Sequence, residues 1–275
     1  MSKSTRLGIT TVTPLNHDKF MTALNQLNSY HPAAALLRDR VVLVTGAGQG
    51  LGSAVALAAA AHGATIILHG RSSAKLENTY DAISAAGGPT PAIAALDFAS
   101  AGTQDFEQLA QTIQHEFGRV DGIVHCAALL KQLQPLADEK LDDWLALLRV
   151  NLAAPFALTR ACLPMLKRSN DASVIFVSES HGLRPAAYWG GFAVSKFALG
   201  GLLKVWTDEL SNITTLRMNI VVPGPVQSPQ RALTHPGEDK SKRRRVEEIT
   251  PAFLYLLGED GKRVSGQVID LEPPT

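Results

Sequence analysis

The sequence predicts an α/β protein built on one doubly wound parallel sheet with helices on both faces. Three observations carry that reading. Short apolar runs rich in β-branched residues alternate along the chain with longer amphipathic stretches, the pattern of strands joined by crossover helices. The first such run ends in a Gly-rich turn that opens an Ala-rich stretch. The composition, 45% hydrophobic but only 6% aromatic over 275 residues, suits strands buried on both faces and closely packed helices.

Taken in order, Val41-Val42-Leu43-Val44 is the first strand, and the following helix runs to His62, with Gly63 closing it as a C-cap residue would. Ile66-Ile67-Leu68 is the second strand. A helix from Ser73 to Ala86 leads to a strand near Ile93 to Leu96, and a helix from Thr103 to Phe117 leads to the strand Gly122 to His125. A long helix from Asp142 towards Lys167 precedes the strand Ser173 to Val177. A helix from about Gly191 to Leu210 precedes the strand Met218 to Val222, and a last strand lies near Gln267 to Leu271. No repeat of solenoid period is visible.

Two segments stand outside this alternation. Residues 1–36 form an N-terminal extension, expected to be partly helical because Phe20, Met21, Leu24 and Leu27 make one apolar stripe; residues 37–275 form the sheet domain. The segment from Pro223 to Thr250 carries the run Lys240-Ser241-Lys242-Arg243-Arg244-Arg245, expected as a solvated helix face or a mobile loop. A formal charge of +1 argues against nucleic acid as the main partner. Cys126 and Cys162 have no motif spacing, and no His/Cys/Asp/Glu set suggests a metal. No apolar run follows Lys3 and Arg6 as in a secretory leader, and the longest apolar stretch, Ala54 to Ala61, is too short to span a bilayer. The expectation is a cytoplasmic protein without a membrane partner.

Thr45-Gly46-Ala47-Gly48-Gln49-Gly50-Leu51-Gly52 joins the first strand to the first helix. No register fits G-x-G-x-x-G, but T-G-x-x-x-G-x-G fits. Glycines there let the backbone turn sharply and approach a pyrophosphate, whose charge the free amides of a helix N-terminus stabilise. At the end of the second strand, where an acidic residue would hold ribose hydroxyls, the chain has Gly70, followed by Arg71 and Ser72. A guanidinium there suits a 2′-phosphate, so NADP(H) is expected over NAD(H).

These residues resemble the short-chain dehydrogenase/reductase family, with its Rossmann-type sheet, over residues 37 to 272. Leu96-Asp97-Phe98 resembles its adenine-contacting turn, Val150-Asn151-Leu152 the segment with its structural and proton-relay asparagine, and Ser195-Lys196 its active-site helix. Pro223-Gly224 resembles the nicotinamide loop, with Val226 beyond it, and Ser265-Gly266-Gln267 the turn into the last strand. The lead-in Leu37-Arg38-Asp39-Arg40 is most similar to that of bacterial reductases in the family. The resemblance implies a nucleotide held by Gly46, Gly48, Gln49, Gly50, Leu51, Gly52, Arg71, Ser72, Asp97, Phe98, Ala127, Lys196, Pro223, Gly224 and Val226.

The resemblance also implies a tyrosine four residues before the lysine, which moves the substrate proton, and a serine that steadies the substrate oxygen. Here those positions hold Phe192 and Glu179, while the family's Asn-Ala-Gly turn reads Cys126-Ala127-Ala128. Loss of a positioned general acid costs about 10²–10⁴-fold in rate. The catalytic set to weigh is therefore Asn151 and Lys196, retained; Glu179 and Phe192, replaced; and Tyr188, a possible substitute donor four residues before Phe192. Glu179 is equally readable as a carboxylate turned to solvent or paired with Arg184, and Tyr188 and Trp189 as pocket walls. Two functions compete: an NADP(H)-binding homologue whose hydride transfer is lost or weakened, and an active NADPH-dependent carbonyl reductase or alcohol dehydrogenase using Glu179 or Tyr188. The partners expected are a small carbonyl or alcohol, if active, and further copies of the chain, as homodimer or homotetramer. The helices that begin near Asp142 and Gly191 would supply that contact, and their Phe156, Leu163, Leu199 and Leu203 fit it and ordinary core packing equally.

Overall fold

A computed structural model describes residue 27 and residues 30–211, 214–239, 241 and 243–271. Its centre is a seven-stranded parallel sheet in the order β3-β2-β1-β4-β5-β6-β7. The strands are β1 (Val41–Thr45), β2 (Thr65–Gly70), β3 (Ala92–Ala95), β4 (Gly122–His125), β5 (Ser173–Val177), β6 (Arg217–Val222) and β7 (Val268–Asp270). Every residue of β1, β4, β5 and β6 is buried, so these strands read as continuous apolar runs rather than alternating ones.

Helices cover both faces. On one side lie α1 (Gly50–Ala61), α2 (Ser73–Ala85) and a helix from Thr250 to Leu257, packed on Val42, Val44, Ile66 and Leu68. The other side holds α3 (Thr103–Phe117), the pair α4 (Leu141–Leu148) and α5 (Ala154–Arg168), and a helix from Gly190 to Leu210, packed on Leu43, Ile67, Ile123 and Phe176. A five-residue π turn, Arg149–Ala153, joins α4 to α5. Among the described residues the other α-helices are α6 (Ser180–Leu183), α7 (Gly190–Leu210), α8 (Pro229–Thr234) and α9 (Thr250–Leu257), with short 3₁₀ turns at Leu136–Asp138, Val246–Ile249 and Glu259–Gly261. The sheet and its crossovers match the doubly wound reading.

Several expectations change. The run Leu141–Arg168 is long and apolar enough to cross a membrane by length and composition, a feature that counting contiguous apolar residues missed. Its Leu158, Cys162, Met165 and Leu166 are buried in the second core, which accounts for that apolarity within the fold. Leu199 and Leu203 are also core residues, at 1% and 2% exposure, whereas Phe156 is exposed. Part of the 240–245 run is not solvated: Arg243 is buried and pairs with Glu238 at 2.8 Å, and Arg244 donates to the carbonyls of Pro223 and Leu271 at 2.8 and 2.6 Å, whereas Ser241 and Arg245 are exposed. Lys240 and Lys242 lie outside the described residues, as do Phe20, Met21 and Leu24 of the N-terminal stripe; Leu27 is buried in the first core.

Candidate functional site

Chain order reverses direction between β1 and β4, which leaves a crevice beyond their C-terminal ends, where open α/β sheets take ligands. There Thr45 Oγ1 accepts from Ala127 N at 3.1 Å, tying the two loops that border the crevice. A cleft of about 510 Å³ opens from this point.

One wall is the Gly-rich turn. Gly46 lies at φ +67°, and a Cβ on it would sit 2.9 Å from the backbone of Ala127; a Cβ on Gly52 would sit 2.3 Å from Gly46 O. The turn is thus packed too tightly for side chains at both positions. It delivers α1 into the cleft with no side-chain cap on its N-terminus and no acidic residue in its first turn. Its amides and dipole are therefore available to an anion. Around this turn Gly48, Gln49, Gly50 and Leu51 line the cleft, and Lys75 Nζ donates to Gln49 Oε1 at 2.8 Å.

The far wall comes from β2, β3 and the loops after them. Gly70, Arg71 and Ser72 line it, and Arg71 is exposed. Asp97 accepts from Ala99 N at 3.0 Å, folding the turn that presents Phe98. Phe98 stacks on His69 with centroids 4.3 Å apart, and burial lowers the His69 pKa to about 4, leaving a neutral ring beneath the cleft. Sequence reasoning gave His69 no role, since nothing in a strand pattern distinguishes it.

The chemical end is organised by β5, α7 and the π turn. Asn151 lies in that turn, where its Oδ1 accepts from Leu129 N (2.7 Å) and its Nδ2 donates to Leu129 O (2.9 Å) and Ser195 Oγ (3.0 Å). It fixes the loop after β4 against α7. Lys196 is buried, and its Nζ donates to Val177 O at 2.8 Å. Burial lowers the Lys196 pKa to about 8, against the opposing fields of Cys126 and Glu179. Phe192, one helical turn earlier, is 2% exposed and packs with Leu147 and Trp189; the ammonium lies 5.9 Å from its ring centroid. Gly182 lets α6 press on this helix, since a Cβ there would meet Lys196 Cβ at 2.8 Å.

Glu179 lines the cleft and is the N-cap of α6. Its Oε2 accepts from His181 N (2.7 Å) and pairs with His181 Nδ1 (2.9 Å). His181 stacks on Trp189 at 3.8 Å, so the Glu179 side chain is held by α6. Tyr188 is elsewhere: its φ is +73°, it is 62% exposed, and it lines a separate small depression beside Leu130 and Glu139. Cys126 and Ala127 complete the floor, and burial pushes the Cys126 thiol up to about 12.

The roof is the segment after β6. Pro223, Gly224 and Val226 line the cleft, as do Arg231 and Thr234 of α8, two residues the sequence did not single out. Ser228 caps α8 by accepting from Arg231 N at 3.1 Å, and Pro229 of that helix is the nearest side chain to Gly50. Arg231 is neutralised by Glu238, at 2.7 and 2.9 Å, and the arginine holds that carboxyl well below the usual carboxylate range. The Arg244 hydrogen bonds close the base of this roof. Nothing in a basic run indicates that its arginines bind carbonyls of distant segments.

The family model for short chain dehydrogenases matches residues 40–239. The uncharacterized oxidoreductase YciK of Escherichia coli K12 is 38% identical over 244 residues, covering 89% of this chain and 96% of that protein. A short chain dehydrogenase structure from Pseudomonas syringae is 42% identical with a TM-score of 0.86, covering 88% of this chain and 98% of that one. Another, from Shigella flexneri and complexed with NADP, is 37% identical with a TM-score of 0.85, covering 88% of this chain and 100% of that one. With its sheet order, its Gly-rich turn and these matches, the chain belongs to the short chain dehydrogenase family of oxidoreductases.

Proposed function

We propose that the chain binds NADP(H) in the cleft, and that carbonyl reduction through a tyrosine acid is lost or severely weakened. The observation that carries this is a nucleotide wall intact beside a chemical end whose phenol position is a buried phenyl ring, Phe192. The uncapped N-terminus of α1 would meet the pyrophosphate, and Arg71 with Ser72 a 2′-phosphate. The Shigella flexneri relative complexed with NADP supports the same preference. Bound NADPH would supply a hydride. Lys196 and Asn151 shape the floor, and α8 forms a lid that borders the cleft opposite it.

A second reading, an active carbonyl reductase, rests on Glu179, which lines the cleft close enough to Lys196 for its charge to act on that ammonium. Tyr188 does not line the cleft and is the weaker donor. The ligand in either case is a small molecule. Homodimers or homotetramers are the proposed assembly, supported by Leu145, Phe156, Phe197 and Val205 exposed on α4, α5 and α7.

The test is a fluorescence titration with NADPH and NADH. Saturable binding that favours NADPH is expected, and Arg71→Ala should narrow that preference by about tenfold, the loss of one charged phosphate contact. Binding of neither nucleotide overturns the proposal.

A further inference from the structure

A carbonyl oxygen that receives a hydride becomes an alkoxide, and it needs a hydrogen-bond donor to take a proton from. The chemical end of this cleft offers the reverse. Phe192 has no donor, and Glu179 brings a carboxylate to its edge. Among the described residues, both contacts to the Glu179 carboxylate come from His181 and fall on Oε2, which keeps the lone pairs of Oε1 for a ligand. A developing alkoxide would meet like charge there. The adjoining walls, Trp189 and Phe192, are apolar and suit a ligand with an apolar body.

The cationic groups around this end of the cleft are engaged by partners of their own. Arg231 faces the cleft from the lid but is paired with Glu238. The Lys196 ammonium is engaged by the Val177 carbonyl, and burial already weakens its hold on its proton. His181 is held by Glu179, and His235 lies beyond Trp189, with ring centroids 6.1 Å apart.

We propose that this cleft takes a cationic imine, an iminium ion with an apolar body, and that Glu179 is the residue that selects it. The proposal rests on NADPH binding as argued above. Reduction of an iminium ion needs no acid. One hydride joins the carbon of the C=N bond, the π pair moves to nitrogen as a lone pair, and the positive charge is cancelled. NADPH is oxidised to NADP⁺, the product is a neutral amine, and no proton is taken up or released. Absence of the tyrosine then costs nothing at the chemical step. Glu179 acts by holding the cation before transfer, so its effect falls on affinity rather than on turnover.

The probe is N-methylpyrrolinium, which is permanently charged, with cyclopentanone as its neutral carbonyl counterpart. NADPH binding is measured first by fluorescence titration, probe binding by quenching of protein fluorescence, and turnover by NADPH oxidation. The expected result is turnover of the pyrrolinium with kcat/KM at least about 100-fold above that for cyclopentanone, the loss typical of a missing general acid. Glu179→Gln should raise both Kd and KM for the cation by about tenfold or more, while the NADPH titration stays unchanged and serves as the control for folding. Three outcomes overturn the proposal with NADPH binding intact: no turnover of the cation, cyclopentanone reduced as well as the cation, or a Glu179→Gln variant with unaltered affinity for it. Failure to bind NADPH is a different result and removes the nucleotide reading itself.

Discussion

Lys196→Met removes a buried ammonium while keeping the length of the side chain, and its consequence depends on pH. In the folded chain burial lowers the lysine pKa from 10.5 to about 8. That displacement is equivalent to about 3 kcal/mol. Between pH 8 and 10.5 the unfolded chain still carries a proton that the folded chain has released, so stability rises with pH through that window. Below it both states are protonated, and the folded state bears the full cost of the buried charge. From about pH 7 to about pH 9.5 the wild type should gain about 2 kcal/mol from this group, and the methionine variant nothing. The assay is urea unfolding of both proteins at the two pH values, taken as the difference between them so that other titrating groups cancel. Parallel curves would refute the reasoning, because they would mean that the ammonium is no less comfortable folded than unfolded.

Three further substitutions test the site's construction. Gly52→Ala places a methyl 2.3 Å from Gly46 O, and should cost roughly 1–3 kcal/mol in thermal unfolding and abolish NADPH binding; a stable variant that still binds would contradict the packing of the turn. Arg244→Met removes the hydrogen bonds to Pro223 O and Leu271 O, each worth about 1.5–3 kcal/mol for a charged donor, and should speed proteolysis within residues 223–245 and weaken NADPH binding. An unchanged cleavage pattern would show that the lid does not depend on this clamp. Phe192→Tyr combined with Glu179→Ser should raise NADPH-dependent reduction of cyclopentanone by about 10²–10⁴-fold; no gain would mean that the loop at Cys126, not the missing phenol, limits the reaction.

The parts of this protein that could be read from its sequence are those whose physics is local. Strands β1, β4, β5 and β6 are buried on both faces, and their unbroken apolar runs betray them. The Gly-rich turn was legible because its demands are partly local: Gly46 takes a left-handed backbone at φ +67°, and a Cβ on Gly52 would meet Gly46 O. Helix α9 (Thr250–Leu257) escaped notice because its six buried residues leave no polar face to set a period. Arg243 and Arg244 were not legible as clamps because charge in a sequence looks the same whether solvated or clamped: Arg243 is held by His235 and Glu238 just before it, and Arg244 by the distant carbonyls of Pro223 and Leu271. Tyr188 sits at helical spacing from Phe192, but its left-handed backbone just before α7 turns it out of the cleft.

Asn151 and Lys196 carry a more general lesson about retained motifs. Asn151 spends its amide on both backbone groups of Leu129 and on Ser195, which holds the loop after β4 to the helix bearing Phe192. Lys196 donates to the end of β5, close by where Gly182 brings α6 onto the same helix. Removing either would leave buried polar groups unpartnered, at about 1–3 kcal/mol each. Both residues are therefore explained by the architecture of the cleft, with no appeal to proton transfer. Phe192 and Glu179 have no such obligation to the family's chemistry. Phe192 packs into the apolar cluster with Leu147 and Trp189, and Glu179 caps α6. On the reading proposed above, this framework holds a nucleotide and a second ligand in register, and Phe192 and Glu179 are the side chains that define what that ligand is.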